Sequence, residues 1–165
     1  GIRTGAKTDS FQIPTNLPPG PLQALLPMKV VRVESLRPGV TREVAWGNRK
    51  YSCGTWTESV EASEGLNVLG AFSSGSPALV RKARRFYLAA WPTRELAHDL
   101  AQHALDEAGV DTTPLSEAIR VRRRAGVTFA FNYGSDSHDA PSNVAARCVL
   151  GAQSIGAHNL SAWRA

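Results

Sequence analysis

The sequence predicts an α/β layer followed by a small antiparallel β module, and three observations support that prediction. Phe86–Trp91 is apolar on both faces, which is typical of a central strand covered on two sides. A segment with a single apolar stripe at helical spacing follows it directly. Beyond residue 118 the chain offers only short strand-like pieces. A covered strand beside a packed helix indicates an α/β layer.

The first 28 residues show little regular pattern. Five prolines lie among the fifteen residues 13–27, which excludes a continuous helix or a central strand there. We therefore expect a surface loop with one short helical turn at Pro21–Leu26. Alternating β-branched residues then predict a strand at Lys29–Leu36.

Short strands and tight turns are predicted for the middle of the chain. The segments REVAWG and RKYSCGTW form two strands around a turn at Gly47–Asn48. A further strand is expected at Val68–Phe72. Ala78–Val80 and Phe86–Trp91 then form a hairpin around the basic tip RKARR.

The clearest helix begins after Thr93, a suitable N-cap residue, and ends before Gly109. Its apolar stripe, which we expect to face a sheet, consists of Leu96, Leu100, Ala104 and Leu105. The polar, proline-containing stretch 110–118 then separates two domains. We place the domains at residues 1–112 and 117–165, joined by a linker at 113–116.

The second domain is predicted to be a small antiparallel β module. The loop GSDSHDAPSN interrupts its four strands, which are Ile119–Arg124, Thr128–Tyr133, Ala145–Leu150 and Leu160–Arg164. Alternation places three arginines on one face of the first strand, namely Arg120, Arg122 and Arg124. The aromatic residues of the second strand share a face that we expect to pack against the core: Phe129, Phe131 and Tyr133. A nucleic-acid platform would instead leave such rings exposed beside the arginines.

Composition limits the possible partners. The formal charge of +5, with 15 Arg against 4 Lys, would favour polyanions but is modest for a dedicated nucleic-acid binder. We predict no nucleic-acid partner. No apolar run is long enough to span a membrane, and no signal peptide is visible, so we predict a cytoplasmic protein without membrane contact. Cys53 and Cys148 lie too far apart in the sequence to suggest a metal pair.

Residue types that could support catalysis are present but poorly arranged. The loop Ser135–His138 holds triad residue types, yet adjacency in a polar loop is not a triad. His98 and His103 are five residues apart, hence on different helix faces. The carboxylates Glu58, Glu61 and Glu64 lie in a polar stretch with no sign of burial, so a solvated edge is expected instead of a glycosidase acid pair.

Other patterns also fail as sites. The segment GIRTGAKT has Ala6 where a phosphate loop needs its second glycine. Cys53 lacks the flanking glycines of a nucleophile elbow. The four tryptophans are scattered over different elements, so we interpret them as packing residues: Trp46, Trp56, Trp91 and Trp163. From the residues we predict no catalytic, cofactor-binding or metal-binding residue, and no cofactor.

Several stretches taken in order resemble one family. These are residues 11–39 (FQIPTNLPPGPLQALLPMKVVRVESLRPG), residues 68–92 (VLGAFSSGSPALVRKARRFYLAAWP) and the helix ending in DEAGV. Together they resemble the trimerisation domain of glycoside hydrolase family 42 β-galactosidases. The tail segments IRVRRRAGVTFAFNYG and VLGAQSIGAHNLSAWR are similar to that family's small C-terminal β domain. The basic tip 81–85 departs from the family, which commonly has glycines there.

The resemblance implies a fold and a role. It implies a glutamine-amidotransferase-like (flavodoxin-like) layered domain that lacks its first strands, followed by the small β domain. In the family the catalytic glutamates lie in an N-terminal TIM barrel, which needs about 250 residues and cannot fit here. We therefore expect a non-catalytic oligomerisation and scaffold portion of a retaining enzyme that hydrolyses terminal β-D-galactosides. Its partner would be further copies of itself, as a trimer, and it would be inactive alone. The alternative is a free-standing carbohydrate- or polyanion-binding module.

Overall fold

The structure is a computed structural model that describes residues 4–141 and 147–164. The chain divides into two compact units, Gly1–Val110 and Asp111–Ala165. No helix within the described residues is long and apolar enough to cross a lipid bilayer.

The described residues of the first unit form seven strands and one α-helix, preceded by a 3-10 turn at Gly20–Ala24. The elements are β1 Met28–Ser35, β2 Arg42–Trp46, β3 Arg49–Cys53, β4 Trp56–Ala62, β5 Asn67–Phe72, β6 Pro77–Lys82, β7 Arg85–Leu88 and α1 Arg94–Glu107. Strands β1 and β4 form a two-stranded sheet. The other five form a second sheet in the order β3-β2-β5-β6-β7. The predicted strands and helix are present, but β4 was missed because its acidic sequence does not alternate cleanly.

The described residues form mostly antiparallel sheet with one helix, and they do not show a flavodoxin-like layered arrangement. Every strand pair in this part of the chain is antiparallel. The prediction of a central strand at Phe86–Trp91 was wrong, because β7 lies at an edge of its sheet. Its apolar character has another cause. The residues after β7 cross to the other sheet: the Ala89 carbonyl accepts the Glu58 amide at 2.7 Å, and Ala90 pairs with Thr57.

The core of the first unit lies between the two sheets and the helix. Its buried side chains include Met28, Val44, Tyr51, Val80, Tyr87 and Leu96. The Thr93 hydroxyl accepts the Leu96 amide at 3.3 Å, which confirms the N-cap, and Gly109 adopts a φ of 67° just past the helix. Of the predicted helix stripe only Leu96 is fully buried, and Leu105 is exposed.

The hairpin turns show where the chain departs from ordinary turn chemistry. Gly47 has a φ of 60° in the turn between β2 and β3, the usual place for glycine in a two-residue hairpin loop. In the equivalent turn between β6 and β7 the residue is Ala83, with a φ of 52°. A side chain in this left-handed region costs about 1 kcal/mol. The basic tip is therefore a mildly strained turn.

The second unit has two antiparallel sheets. Its strands are β8 Ile119–Arg124, β9 Val127–Asn132, β10 His138–Asp139, β11 Arg147–Leu150, β12 Ser154–Ile155 and β13 Leu160–Arg164. Four of them form a sheet in the order β11-β13-β9-β8, and β10 pairs with β12. The four predicted strands are present, although residues 145 and 146 lie outside the described residues. The prediction of one continuous loop at 134–143 was wrong, because β10 lies within it.

One face of the four-stranded sheet carries the core of this unit. The buried residues are Ile119, Ala130, Ala140, Ile155 and Trp163. Ala140 and Ile155 belong to the β10–β12 region, so this region covers the inner face. Asn132 secures it: the amide nitrogen donates to the carbonyls of Asp136, Ile155 and Gly156 at 2.7–3.0 Å.

Candidate functional site

The first candidate is the helix histidines, and the structure separates them. His98 is exposed, whereas His103 is only partly exposed and lies edge-on to Trp46 and Phe86 at ring distances of 5.4 and 5.7 Å. Its ring nitrogen is 3.5 Å from Glu107. His103 therefore packs where α1 meets the sheet. Among the described residues, no group of three or more His, Cys, Asp or Glu side chains could hold a metal ion.

The carboxylates behave differently from the solvated edge that we expected. Glu58 is 4% exposed and accepts a 2.6 Å hydrogen bond from the Tyr87 hydroxyl. Burial, together with the neighbouring Glu58, raises the pKa of Tyr87. Glu61 and Glu64 are exposed, so the three acids do not converge into a catalytic pair. The sequence did contain a signal for this burial. Alternate residues of a strand point to the same face, so Glu58 would share the inward face of apolar Val60.

A polar cleft of about 420 Å³ opens beside Glu58. It is also lined by Glu34, Arg42 and serines of the β5–β6 turn. Arg42 and Glu34 form an ion pair across it at 3.3 Å, which satisfies both charges. The cleft therefore contains one buried carboxylate, held by a tyrosine, and a second acid, Glu34, whose charge is paired with Arg42.

The remaining candidates also lie apart. Cys53 is buried, which raises the pKa of its thiol, while Cys148 is exposed. Trp56 and Trp91 make an edge-to-face pair at 4.6 Å, but Trp163 is buried in the second unit. Within the described part of the chain, no hydrogen bond joins Ser135 or Ser137 to His138. The loop with Ala6 lines an apolar recess of about 790 Å³ formed with prolines of the N-terminal segment.

The strongest surface feature is the side of the four-stranded sheet opposite its core. Phe131 on β9 pairs directly with Arg120 on β8 and Leu160 on β13, and Phe129 pairs with Arg122. Directly paired residues point to the same face of a sheet. The prediction that these rings pack against the core on the side away from the arginines was wrong. Thr128, Ala130 and Asn132 occupy the buried side instead.

The rings form a row along β9. Phe129 and Phe131 lie 6.4 Å apart with planes inclined by 18°, and Tyr133 continues the row 6.4 Å beyond Phe131. Tyr133 is 68% exposed. We call this surface the open aromatic face and define it by Arg120, Arg122, Phe129, Phe131, Tyr133 and Leu160. The pair Arg124 and Val127 continues it towards the β8–β9 turn. A count of apolar residues could not place it, because both sides of β9 contain apolar residues and only strand pairing distinguishes them.

The arginines of this surface carry uncompensated charge. The guanidinium of Arg120 donates to the carbonyls of Glu117 and Ile119, and that of Arg122 donates to the Val121 carbonyl. Within residues 4–141 and 147–164, neither arginine forms an ion pair with a carboxylate. The open aromatic face is therefore apolar in its middle and positive at its β8 side.

Comparison with known proteins identifies the chain's relatives. Residues 1–111 match the family model of the β-galactosidase trimerisation domain, from glycoside hydrolase family 42. The chain belongs to this family. It is 48% identical over 163 residues to a β-galactosidase of Thermus thermophilus and 49% identical over 164 residues to the β-galactosidase BgaA of a Thermus species. Each match covers 99% of this chain and 25% of the relative.

Solved β-galactosidase structures agree with this assignment. The crystal structure from the psychrophilic Marinomonas ef1 matches with a TM-score of 0.86 at 35% identity, over 98% of this chain and 24% of that one. The enzyme from the haloarchaeon Halorubrum lacusprofundi matches with a TM-score of 0.83 at 26% identity. The chain thus spans about a quarter of the length of the β-galactosidases that it matches.

Proposed function

We propose that this chain is the non-catalytic self-association and scaffold portion of a family 42 β-galactosidase. The match of residues 1–111 to the trimerisation domain is the observation that carries the proposal. In the intact enzyme the chain would hold copies together as a trimer. A remaining region, outside this sequence, would hydrolyse terminal β-D-galactosides by a retaining double displacement.

The described residues support a role without catalysis. A retaining glycosidase needs two carboxyl groups about 5–5.5 Å apart, one as acid/base and one as nucleophile. Glu58 is bonded to Tyr87, while Glu61 and Glu64 face solvent. A barrel of the size that carries such pairs needs about 250 residues, more than the 165 here.

Two measurements on the purified chain test this proposal. A chromogenic β-galactoside should give no turnover with the chain alone, while the intact Thermus thermophilus β-galactosidase serves as the positive control. Sedimentation equilibrium should show reversible self-association that depends on concentration. Clear turnover, or a monomer at every concentration, would contradict the proposal.

Finer features belong to the same proposal. A glutamine-amidotransferase-like layer would require strands contributed by the longer protein. We also propose the domain limits 1–112 and 117–165, and a cytoplasmic location. The second candidate function is a free-standing module that binds carbohydrate or an acidic polymer. The partly exposed rings of the open aromatic face, and its arginines without carboxylate partners among the described residues, favour it. Salt-sensitive retention on immobilised heparin or DNA would support that alternative.

A further inference from the structure

We propose that the polar cleft beside Glu58 is a binding site for a small amino alcohol, a molecule that carries a primary ammonium group beside hydroxyl groups. The cleft has a volume of about 420 Å³, and the residues that line it belong to the first unit. Small-molecule sites usually have volumes of about 300–1,000 Å³. The inference does not depend on the proposed self-association, so either can fail without the other.

The buried carboxylate of Glu58 is the anchor of this site. Glu58 is 4% exposed, and its Oε2 atom accepts the hydrogen bond from the Tyr87 hydroxyl. Its other oxygen, Oε1, accepts no hydrogen bond from the described part of the chain. Oε1 is also not one of the described side-chain atoms that are sealed from solvent without a partner, so it reaches solvent. Because Glu58 lines the cleft, this oxygen opens into it.

The charges around the cleft favour a cation. Arg42 and Glu34 compensate each other as an ion pair at 3.3 Å. Within residues 4–141 and 147–164, Glu58 forms no ion pair, because its partner is the neutral hydroxyl of Tyr87. A carboxylate that is buried without a counter-ion is costly. A cation that enters the cleft would remove that cost, whereas an anion would add to it.

The single unbonded oxygen determines which kind of cation fits. A guanidinium group binds a carboxylate best as a fork that uses both oxygens. The Tyr87 hydroxyl already occupies Oε2 of Glu58, so a second fork partner would have to displace it. An ammonium group is a compact point charge with three donors, and it needs only one oxygen from each partner.

Residues with hydroxyl side chains supply the remaining contacts. Those that line the cleft are Thr57, Ser59, Ser73, Ser74 and Ser76. A hydroxyl can donate one hydrogen bond and accept two, so these residues suit both ammonium protons and ligand hydroxyls. The hydroxyls of Ser74 and Ser76 lie 2.8 Å apart and bond to each other within the β5–β6 turn. An ammonium group flanked by hydroxyls therefore matches the cleft better than an apolar amine.

A matched pair of small molecules tests the charge. Serinol and glycerol share one carbon skeleton, and at neutral pH serinol has an ammonium group where glycerol has its central hydroxyl. In an NMR titration of the isotope-labelled chain, serinol should cause saturable shifts in the amide signals of residues 57–59 and 73–76. Glycerol should cause none at the same concentrations. Equal binding of both molecules would overturn the ammonium assignment, and the lack of a saturable shift with serinol would overturn the site.

Two glutamates of β4 provide matched variants. Glu58→Gln removes the charge but keeps an oxygen that can accept the Tyr87 hydroxyl. Glu61→Gln makes the same change of charge at an exposed position outside the lining of the cleft. The dissociation constant for serinol should rise by about tenfold in Glu58→Gln and should change little in Glu61→Gln. Equal effects of the two substitutions, or no effect of Glu58→Gln, would contradict the role of Glu58.

A third variant avoids any change to the buried pair. Ser73 is exposed and lines the cleft, so Ser73→Lys places an ammonium group of the protein itself there. This variant should compete with serinol and weaken its binding, whereas Ser63→Lys, at an exposed position outside the cleft, should not. Circular dichroism checks that each variant folds. Serinol binding that Ser73→Lys leaves unchanged would overturn the site even if Glu58→Gln did not fold. A wild-type chain that binds serinol but stays monomeric would instead overturn only the proposed function.

Discussion

The two units differ in where most of their polar contacts lie, although the larger unit also buries the hydrogen bond between Tyr87 and Glu58. The larger unit buries a broad apolar core, and most of its polar contacts lie at the rim, such as Arg49 with Asp99 and Arg81 with Glu107. The smaller unit has a core of five residues and places Asn132 inside it, fully hydrogen-bonded.

The difference follows from size. A unit of about 55 residues buries a smaller fraction of its surface than one of 110, so its apolar core alone contributes less. A polar side chain that binds several backbone carbonyls can fix a short, irregular segment that has no apolar residues to spare. We expect each interior group of the small unit to matter more than any rim contact of the large one.

The largest expected effect comes from Trp163, the bulkiest buried side chain of the small unit. Trp163→Ala should destabilise that unit by about 3–5 kcal/mol, because it leaves a cavity in a five-residue core. Amide signals of the small unit should then disappear from the NMR spectrum while those of the large unit remain. Trp91→Ala, at a half-exposed position, is the matched control. If both substitutions lowered stability equally, the interior of the small unit would be no more sensitive than a half-exposed position of the large one.

The next effect tests the interior polar group directly. Asn132→Ala removes three bonds to backbone carbonyls and one from the Gly134 amide, so it should cost about 2–3 kcal/mol. Asn159→Ala is the control, since Asn159 is exposed and its side chain accepts only the adjacent Leu160 amide. Urea unfolding of the small unit measures both variants. If Asn132→Ala lowered the free energy of unfolding by less than about 0.5 kcal/mol, the hydrogen bonds of Asn132 would not be needed for the stability of the small unit.

Sequence reasoning predicted the local elements well and the assembly of elements less well. Alternation located the strand at Lys29–Leu36, an apolar run located the strand around Val80, and cap residues located the helix. These signals are local, so the sequence alone contains them. The open aromatic face depends on the register of the β8–β9 hairpin, which pairs Phe131 with Arg120, and the apolar residues after β7 are explained by contacts with β4. Pairings between strands leave no periodic signal within one strand, which explains both errors.

Glu58 shows the same limit for a single residue. Its acidic type predicted exposure, and the missed strand β4 removed the context that would have corrected it. The family resemblance required only order and composition, so it survived these errors. Family membership was therefore predictable, while the surface chemistry that distinguishes the two units was not.

The smallest effect concerns the rim of the large unit, at Asp99. The Tyr51 hydroxyl at 2.7 Å and the Arg49 guanidinium at 2.5 Å hold the pKa of this carboxyl below its usual value. A lowered folded-state pKa stabilises the folded state above the unfolded-state pKa near 3.8, and this contribution is lost as the pH falls through the folded-state value. Asp99→Asn should therefore flatten the fall in melting temperature between about pH 5 and pH 2. At neutral pH it should change stability much less than Asn132→Ala.

Asp106→Asn on the same helix is the control, because it makes the same change of charge away from Arg49. Thermal melts across the acidic range compare the two variants with the wild-type chain. If Asp99→Asn lowered the neutral-pH stability as much as Asn132→Ala does, rim and interior polar groups would be equivalent. Size would then not explain why the small unit places its amide inside the core. If Asp99→Asn changed the melting temperature only at acidic pH, the role of Asp99 would be limited to its contacts with Arg49 and Tyr51 of β3.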